Sequence, residues 1–574
     1  MSAAADPSGV DPAGADPAGA APPATGWLSE ESLKRLVLVL IAGITVLAAV
    51  VGLLQNDYGA QGARYRRDAN IYALRAMGMR SSGSARIGYD WFDAYATRSQ
   101  VDLQARAGAE WEDEGATYRY EEVRDRLTTL SPLLAPPYFT PGGTEPPNVR
   151  KYEADTYLVQ STALSERFLR AAILDDVWDT KANTFITHLT LLAVALALLG
   201  LCVVVAGRAR YIFLVTAVLM VGVSCVWIVQ VIGQPVPNLS DEAIDRYALG
   251  VGLAHQGDDA GAVTAFDAAL AATPGYGVAL YERGRAQSRL GNYDAAVASL
   301  QEARAAGKDD ARGAALLGWT FYLAGKFDDS ARELRRSLAL DPNQFLVRAR
   351  LGLTLLASGQ VDTARAEYGA AMDLVSRQVA EVRASGQEPP STLWTNMGDA
   401  STDLEGLSDR LSQPKSWTLA PSKEKISQDS NVPTAARDLL VQVRNLAIAL
   451  EYTGKPPQGT ATAKASPFEF EALDPNTGEY TIAASFPAGA KELWFAYSYE
   501  GFVDGKDTVL KFYRNGIEET GLRYVYAWEE GAAGETDDVL TSAYGFKSGT
   551  YTLEMYFDSR LVQSGTFVVD PAAP

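Results

Sequence analysis

Cysteine and histidine are nearly missing from this 574-residue chain, with two of each. Cys202 and Cys225 both lie in apolar runs, so nothing outside those runs can carry a disulfide, and thiolate metal sites or a catalytic Cys are not expected. With only His188 and His255, HExxH zinc sites, Ser-His-Asp triads and His-rich metal clusters are excluded. Basic residues are short as well: 51 Lys and Arg stand against 70 Asp and Glu, for a formal net charge of −19. Phosphate-backbone contacts need clustered cations, so a nucleic-acid partner is not expected. These scarcities point to a chain that binds rather than catalyses, with no cofactor and no metal.

What is present is unevenly distributed. Residues 1–30 are rich in Ala, Pro, Gly and Asp, a composition too poor in apolar surface to offset its ordering entropy, so a disordered tail is expected. Three apolar runs follow, at 36–54, 186–206 and 211–233, each covering the roughly 20 residues that cross a hydrocarbon core. The last two are joined only through Gly207, Arg208, Ala209 and Arg210, which makes them a helical hairpin. Arginines in so short a loop favour the cytoplasmic side, as do Lys34 and Arg35 before the first run. Residues after the third run then lie outside; Arg64, Arg66 and Arg67 argue the other way. His188, at the edge of the second run, reads as an interfacial, water-facing residue.

Between the runs, residues 58–183 read as two helical arms, with a Gly/Ser break at 82–88 and a Pro-rich turn over 131–149. A helical hairpin between spans resembles, in architecture alone, the sensory bundles of bacterial receptors; a rigid stalk fits equally.

The strongest signal is a period of 34. Gly250, Gly284, Gly318 and Gly352 keep that spacing, as do Ala262, Ala296, Ser330 and Ala364, and Ala269, Ala303, Ser337 and Ala371. Sixteen residues after each glycine stands a large apolar residue: Phe266, Leu300, Leu334 and Tyr368. Paired helices approach closely where small residues face each other, and stacked pairs bury what one pair cannot. Over 243–376 this order of small and large residues resembles the tetratricopeptide repeat family. A degenerate fifth unit with capping helices is expected over 391–453, interrupted by a polar insertion at 412–432.

The resemblance implies a concave groove, lined by the first helix of each unit, that takes a protein or peptide partner. Carried over position by position, it nominates Tyr247, Val251, Tyr281, Arg285, Arg289, Arg312, Trp319, Tyr322, Leu346, Arg350 and Leu353. Guanidinium groups beside aromatics suit carboxylates and peptide planes, hence an acidic or amphipathic peptide. Solvated arginines and packing aromatics are the plainer alternative. The carboxylate-clamp subtype of the family is not expected, because Asn is absent from the matching positions. His255 falls in the first unit's interhelix region and is assigned no role.

After a linker at 454–466 the periodicity switches to two. Aromatic and β-branched alternation, with Asp504-Gly505, Asn515-Gly516 and Ser548-Gly549 at turn positions, predicts a β-sandwich over 467–570 that resembles immunoglobulin-like modules. Trp494, Tyr497, Tyr526 and Trp528 are core aromatics or, less simply, a sugar-stacking surface. The fold class is therefore a multidomain membrane protein: transmembrane helices, an α-helical solenoid and an all-β sandwich. Its expected function is a non-enzymatic membrane scaffold. The runner-up is a sensor whose hairpin or sandwich binds a ligand.

Overall fold

The computed structural model describes residues 30–111, 113–140, 146–205, 207–412, 420–457, 462–473, 480–542 and 545–571. The expected tail lies outside these, as do 141–145 of the Pro-rich turn, 413–419 of the insertion and 458–461 of the linker. The chain divides into two compact units, residues 1–85 with 160–239, and residues 86–159 with 240–574.

The first unit is a bundle of three helices, α1 (Glu30–Gly88), α5 (Val159–Val204) and α6 (Ala209–Gly233). Each is long and apolar enough to cross a membrane. Their shared core holds Val37, Ile44 and Val51 from α1, Phe185, Leu192 and Leu199 from α5, and Ala217, Ile228 and Val231 from α6. Outside it, Leu38, Val39, Leu53, Ile212, Leu219 and Val229 stand exposed, so the bundle is apolar outside as well as inside. Polar contacts gather beyond the apolar segments. Arg66 pairs with Asp175 at 3.0 Å and with Asp179, and Lys181 Nζ donates to the Gln234 carbonyl oxygen at 2.7 Å, placing a cation at the end of α6.

Two expectations fail here. The 82–88 break does not exist: α1 runs through it. A helical Gly costs only about 0.5–1 kcal/mol, and without Pro the backbone ladder continues. The irregularity comes just afterwards, as a π-helical segment at Tyr89–Tyr95. His188 is not water-facing but wholly enclosed.

The second unit begins with α2 (Ala96–Glu110) and α3 (Glu114–Leu130), an antiparallel pair, followed by the short α4 (Val149–Glu153) and a π-helical turn at Ala154–Leu158. Buried Asp90 ties this region together, accepting from the Ser131 and Tyr152 hydroxyls at 2.7 and 2.5 Å. Burial, and secondarily that carboxylate, push the Tyr152 phenol up to about 12.

Four helix pairs follow: α7 (Asp241–Gln256) with α8 (Asp259–Ala272), α9 (Gly277–Arg289) with α10 (Tyr293–Ala305), α11 (Ala311–Leu323) with α12 (Phe327–Leu340), and α13 (Phe345–Ala357) with α14 (Val361–Ala384). The period-34 glycines have a direct steric reason. A Cβ on Gly250, Gly284, Gly318 or Gly352 would come within 2.5–2.7 Å of Phe266, Leu300, Leu334 or Tyr368, the residue sixteen further on. A second series, Gly257, Gly291, Gly325 and Gly359, keeps the same spacing and ends each first helix at positive φ, from 71° to 89°. Ser240, Asp258 and Asp310 cap helix N-termini by accepting from the backbone N–H three residues on.

The fifth unit, α15 (Ser391–Ser412) and α16 (Asn431–Tyr452), stacks differently. Beyond their own partners, α9, α11 and α13 rest chiefly on the second helix of the unit before, whereas α15 rests on α13. Between α15 and α16 the polar insertion is anchored over its described part. Lys425 Nζ donates to the Ala324 carbonyl oxygen at 2.7 Å, Ser427 N donates to that of Ala357 at 2.8 Å, and Ile426 enters the core.

The terminal domain is two facing sheets. Strand β5 (Glu492–Glu500) pairs with β1 (Lys464–Ala465), β2 (Glu469–Leu473) and β9 (Ala533–Thr541), and β2 with β3 (Tyr480–Ile482). The second sheet runs β4 (Ser485–Phe486), β11 (Arg560–Val569), β10 (Gly549–Phe557) and β6 (Asp507–Arg514), with β7 (Ile517–Glu518) and β8 (Tyr524–Ala527) also pairing β6. Asn515 and Gly516 turn β6 into β7, both at positive φ, as that hairpin class requires. Tyr497 and Trp528 belong to the core, while Trp494 and Tyr526 are half-buried.

The sandwich is docked firmly on α16. Arg444 is largely buried, 11% exposed, and bridges Glu405 of α15, at 3.0 Å, and the wholly buried Glu554 of β10. Tyr556 donates to Glu554 at 2.6 Å, and Asn445 Oδ1 accepts from Leu561 N at 2.6 Å.

Candidate functional site

The first helices of the repeats carry the nominated groove residues, and the structure sorts them into three groups. Tyr247 is buried against the Phe266 and Tyr276 rings, at 5.9 and 5.3 Å. Arg289 is spent within the stack, holding Asp259 with Nε 2.9 Å from both carboxylate oxygens. Val251 is half-buried on α7.

The second group lies under α15. Trp319 stacks on Tyr322 at 4.9 Å, and the Arg350 guanidinium sits 4.0 Å above the Trp319 ring while its Nε donates to Asp403 of α15 at 2.9 Å. Tyr322 and Leu353 have no exposed surface. Burial drives the Tyr322 phenol well above its usual range, with Asp403 adding to it, and burial also holds the Asp403 carboxyl above the ordinary carboxylate value against the pull of Arg350. Trp319, Tyr322 and Leu353 of the expected groove are thus covered by the chain's own fifth unit, and Tyr322 serves as a packing residue there.

The third group stays open. A cavity of about 630 Å³ crosses the first turns of α9, α11, α13 and α15. Tyr281, Arg312, Leu316, Leu346 and Arg350 line it on one side, and Gln378, Val382, Leu393 and Asn396 on the other. Arg312 is exposed and makes no ion pair among the described residues. Tyr281 is half-buried with the Lys308 ammonium 5.8 Å from its ring, and burial raises its phenol. Arg285 pairs with Glu282 at 2.7 Å, whose carboxyl is raised by its own burial and partly restored by that arginine. A mostly apolar trough with one unpaired guanidinium and several amides suits a peptide segment carrying a carboxylate.

Asn343, Gln378 and Asn396 were not nominated from sequence. Asn396 stands two residues before Gly398 as Arg350 stands two before Gly352, a parallel visible in the chain once the fifth unit is aligned. Gln378 is reachable only because α14 continues well past the length of the other second helices. His255 also has a partner: its Nε2 lies 2.7 Å from Glu153 Oε2, joining α4 to the first repeat.

Among the described residues no cluster of three or more His, Cys, Asp or Glu side chains is placed to hold a metal ion. Comparison with curated proteins returned no match. Among solved structures, MamA (residues 41 to the end) from Desulfovibrio magneticus RS-1 is 27% identical over 23% of this chain and 75% of its own, with a TM-score of 0.23. YrrB, described as a TPR protein with an unusual peptide-binding site, is 17% identical over 36% of this chain and 91% of its own, with a TM-score of 0.24. An immunoglobulin-like protein from Pseudomonas aeruginosa is 14% identical over 20% of this chain and all of its own, with a TM-score of 0.15. Residues 253–319 match the tetratricopeptide repeat family model, and the repeat continues beyond them at the same period of 34 through α12, α13 and α14.

Proposed function

We propose that this chain is a membrane-anchored, non-enzymatic scaffold that docks a protein or peptide partner in the trough running from Tyr281 to Asn396. The observation that carries this reading is the trough itself: about 630 Å³, mostly apolar, with Arg312 unpaired at its edge. Of the nominated residues, Tyr281, Arg312, Leu346 and Arg350 are the contact set, and Tyr247, Arg285, Arg289, Trp319 and Tyr322 hold the frame. The anchor is the three-helix bundle. Glu30, Lys34, Gly207 and Arg210 share one end of it, in keeping with a cytoplasmic N-terminus and interhelix loop and an outward array and sandwich.

The test uses the full chain in its native membrane. With Arg312→Glu and Leu346→Asp combined, partner recovered with the chain should drop at least tenfold while protease protection of the array is unchanged. Undiminished recovery removes the trough from the account. The sensor reading draws on the His255–Glu153 contact, which links the hairpin region to the first repeat. It gains if His255→Gln alters partner recovery and Arg312→Glu does not.

A further inference from the structure

The buried stripe of α5 is apolar from Phe185 to Cys202 except at His188. Its imidazole has no exposed surface, and neither ring nitrogen has a hydrogen-bond partner. Facing it from α6 is the Trp227 ring, with centroids 5.8 Å apart; on α5 itself Phe185 lies 6.3 Å away. One turn before Trp227, Ser224 is equally enclosed, and its hydroxyl is also without a partner. Two unsatisfied polar groups in the core of a membrane bundle are costly, since neither lipid nor bulk water reaches them. An ionisable side chain kept in such a place argues for a use rather than for packing, because Leu would fill the space without the penalty.

We infer that His188 forms a proton-binding site inside the three-helix bundle, so that the bundle reads the pH of the compartment into which α6 exits. Imidazole is the side chain suited to gain and lose a proton near neutrality. Access is short, because His188 stands only two residues inside the apolar run that begins at Ile186. The surroundings are specific about charge. On α5 the nearest charged residue along the same stripe is Lys181, two turns away, whose ammonium is held by the Gln234 carbonyl oxygen. Residues 182–206 carry no charge at all. On α1, Tyr58 packs against Phe185 at 5.4 Å, residues 36–54 are uncharged, and the first carboxylate beyond them, Asp57, is exposed and accepts from Gln61 at 2.9 Å. On α6, Ser224, Cys225 and Trp227 are neutral, and residues 211–233 contain no charged residue. A proton on His188 therefore creates a cation with no countercharge from any packed helix. The bundle must answer by admitting water or by separating α5 from α6 at the Trp227 level.

Two histidines make the test direct. The full chain, labelled with ¹⁵N-histidine and held in phosphatidylcholine/phosphatidylglycerol nanodiscs, shows two imidazole spin systems, told apart with His255→Gln. Between pH 8 and 4 the His188 ring nitrogens should pass reversibly from the neutral to the doubly protonated pattern. In parallel, an imidazolium beside Trp227 quenches its emission. With ten Trp in the chain the fall is roughly a tenth of the total, and it disappears in His188→Leu and in Trp227→Phe. A His188 ring that keeps one protonation state across that range overturns the inference. So does a quench of the same size in His188→Leu. The wild-type titration alone decides the matter if either variant fails to fold.

Discussion

Arg444 joins the sandwich to both α15 and α16. It is enclosed with Glu405 and Glu554, and removing one member of a buried charge group leaves the others unpaired, at a cost of about 3–5 kcal/mol. Arg444→Met should therefore lower stability by roughly that amount in chemical denaturation, whereas exposed Arg365→Met, which loses only a solvent-facing pair with Asp438, should change it by less than about 1 kcal/mol. Equal effects would mean that the network is not buried in solution. Asp403 gives a pH signature. Its folded carboxyl is raised by burial, so the folded chain holds that proton more tightly than the unfolded one. The contribution is complete below the unfolded value near 4 and is lost as pH rises through the folded value. Stability of wild type relative to Asp403→Asn should accordingly be greatest at the acid end and shrink toward neutrality. A difference that grows with pH would contradict the assignment.

At the scale of the helix pair, what was legible and what was not have distinct causes. The period of 34, the small residues and the large residue sixteen positions on were readable because each obeys a steric rule local to one pair: a Cβ on Gly318 would stand 2.7 Å from Leu334 Cγ and 3.1 Å from its backbone N. Gly318→Val should thus cost about 1–3 kcal/mol by overpacking. Gly369, on the open side of α14 with nothing within 4 Å, should instead gain about 0.5–1 kcal/mol on mutation to Ala. Matching thermal shifts for the two variants would undo the steric account. The second glycine series, at the same spacing, obeys a local rule as well: each ends a first helix at positive φ. What could not be read was the covering of Trp319, Tyr322 and Arg350. That depends on α15 resting on α13 rather than on α14, a choice made by tertiary packing of Leu393, Met397 and Leu404, which no local pattern announces. The uninterrupted α1 is the converse case: Ser and Gly at 82–88 lower helix propensity a little without breaking the helix.

For the whole molecule, the sequence made the class of each part legible through its periodicity: near-continuous apolar runs, then 34, then two. It gave no hint that the linker-borne sandwich would be locked to α16 through Arg444 and the Ile448, Val509 and Tyr556 contact. Because α15, α16 and the sandwich pack on one another, the trough is a preformed cup rather than an open spiral that wraps a ligand. The most direct measurement places a photo-crosslinking amino acid at Leu346, inside the trough, and separately at exposed Arg335 on α12, in cells that make the full chain. The account predicts that a discrete partner adduct forms from position 346 and is abolished by Arg312→Glu, with none from position 335. Adducts of equal yield from both positions, or a 346 adduct indifferent to Arg312, would contradict it.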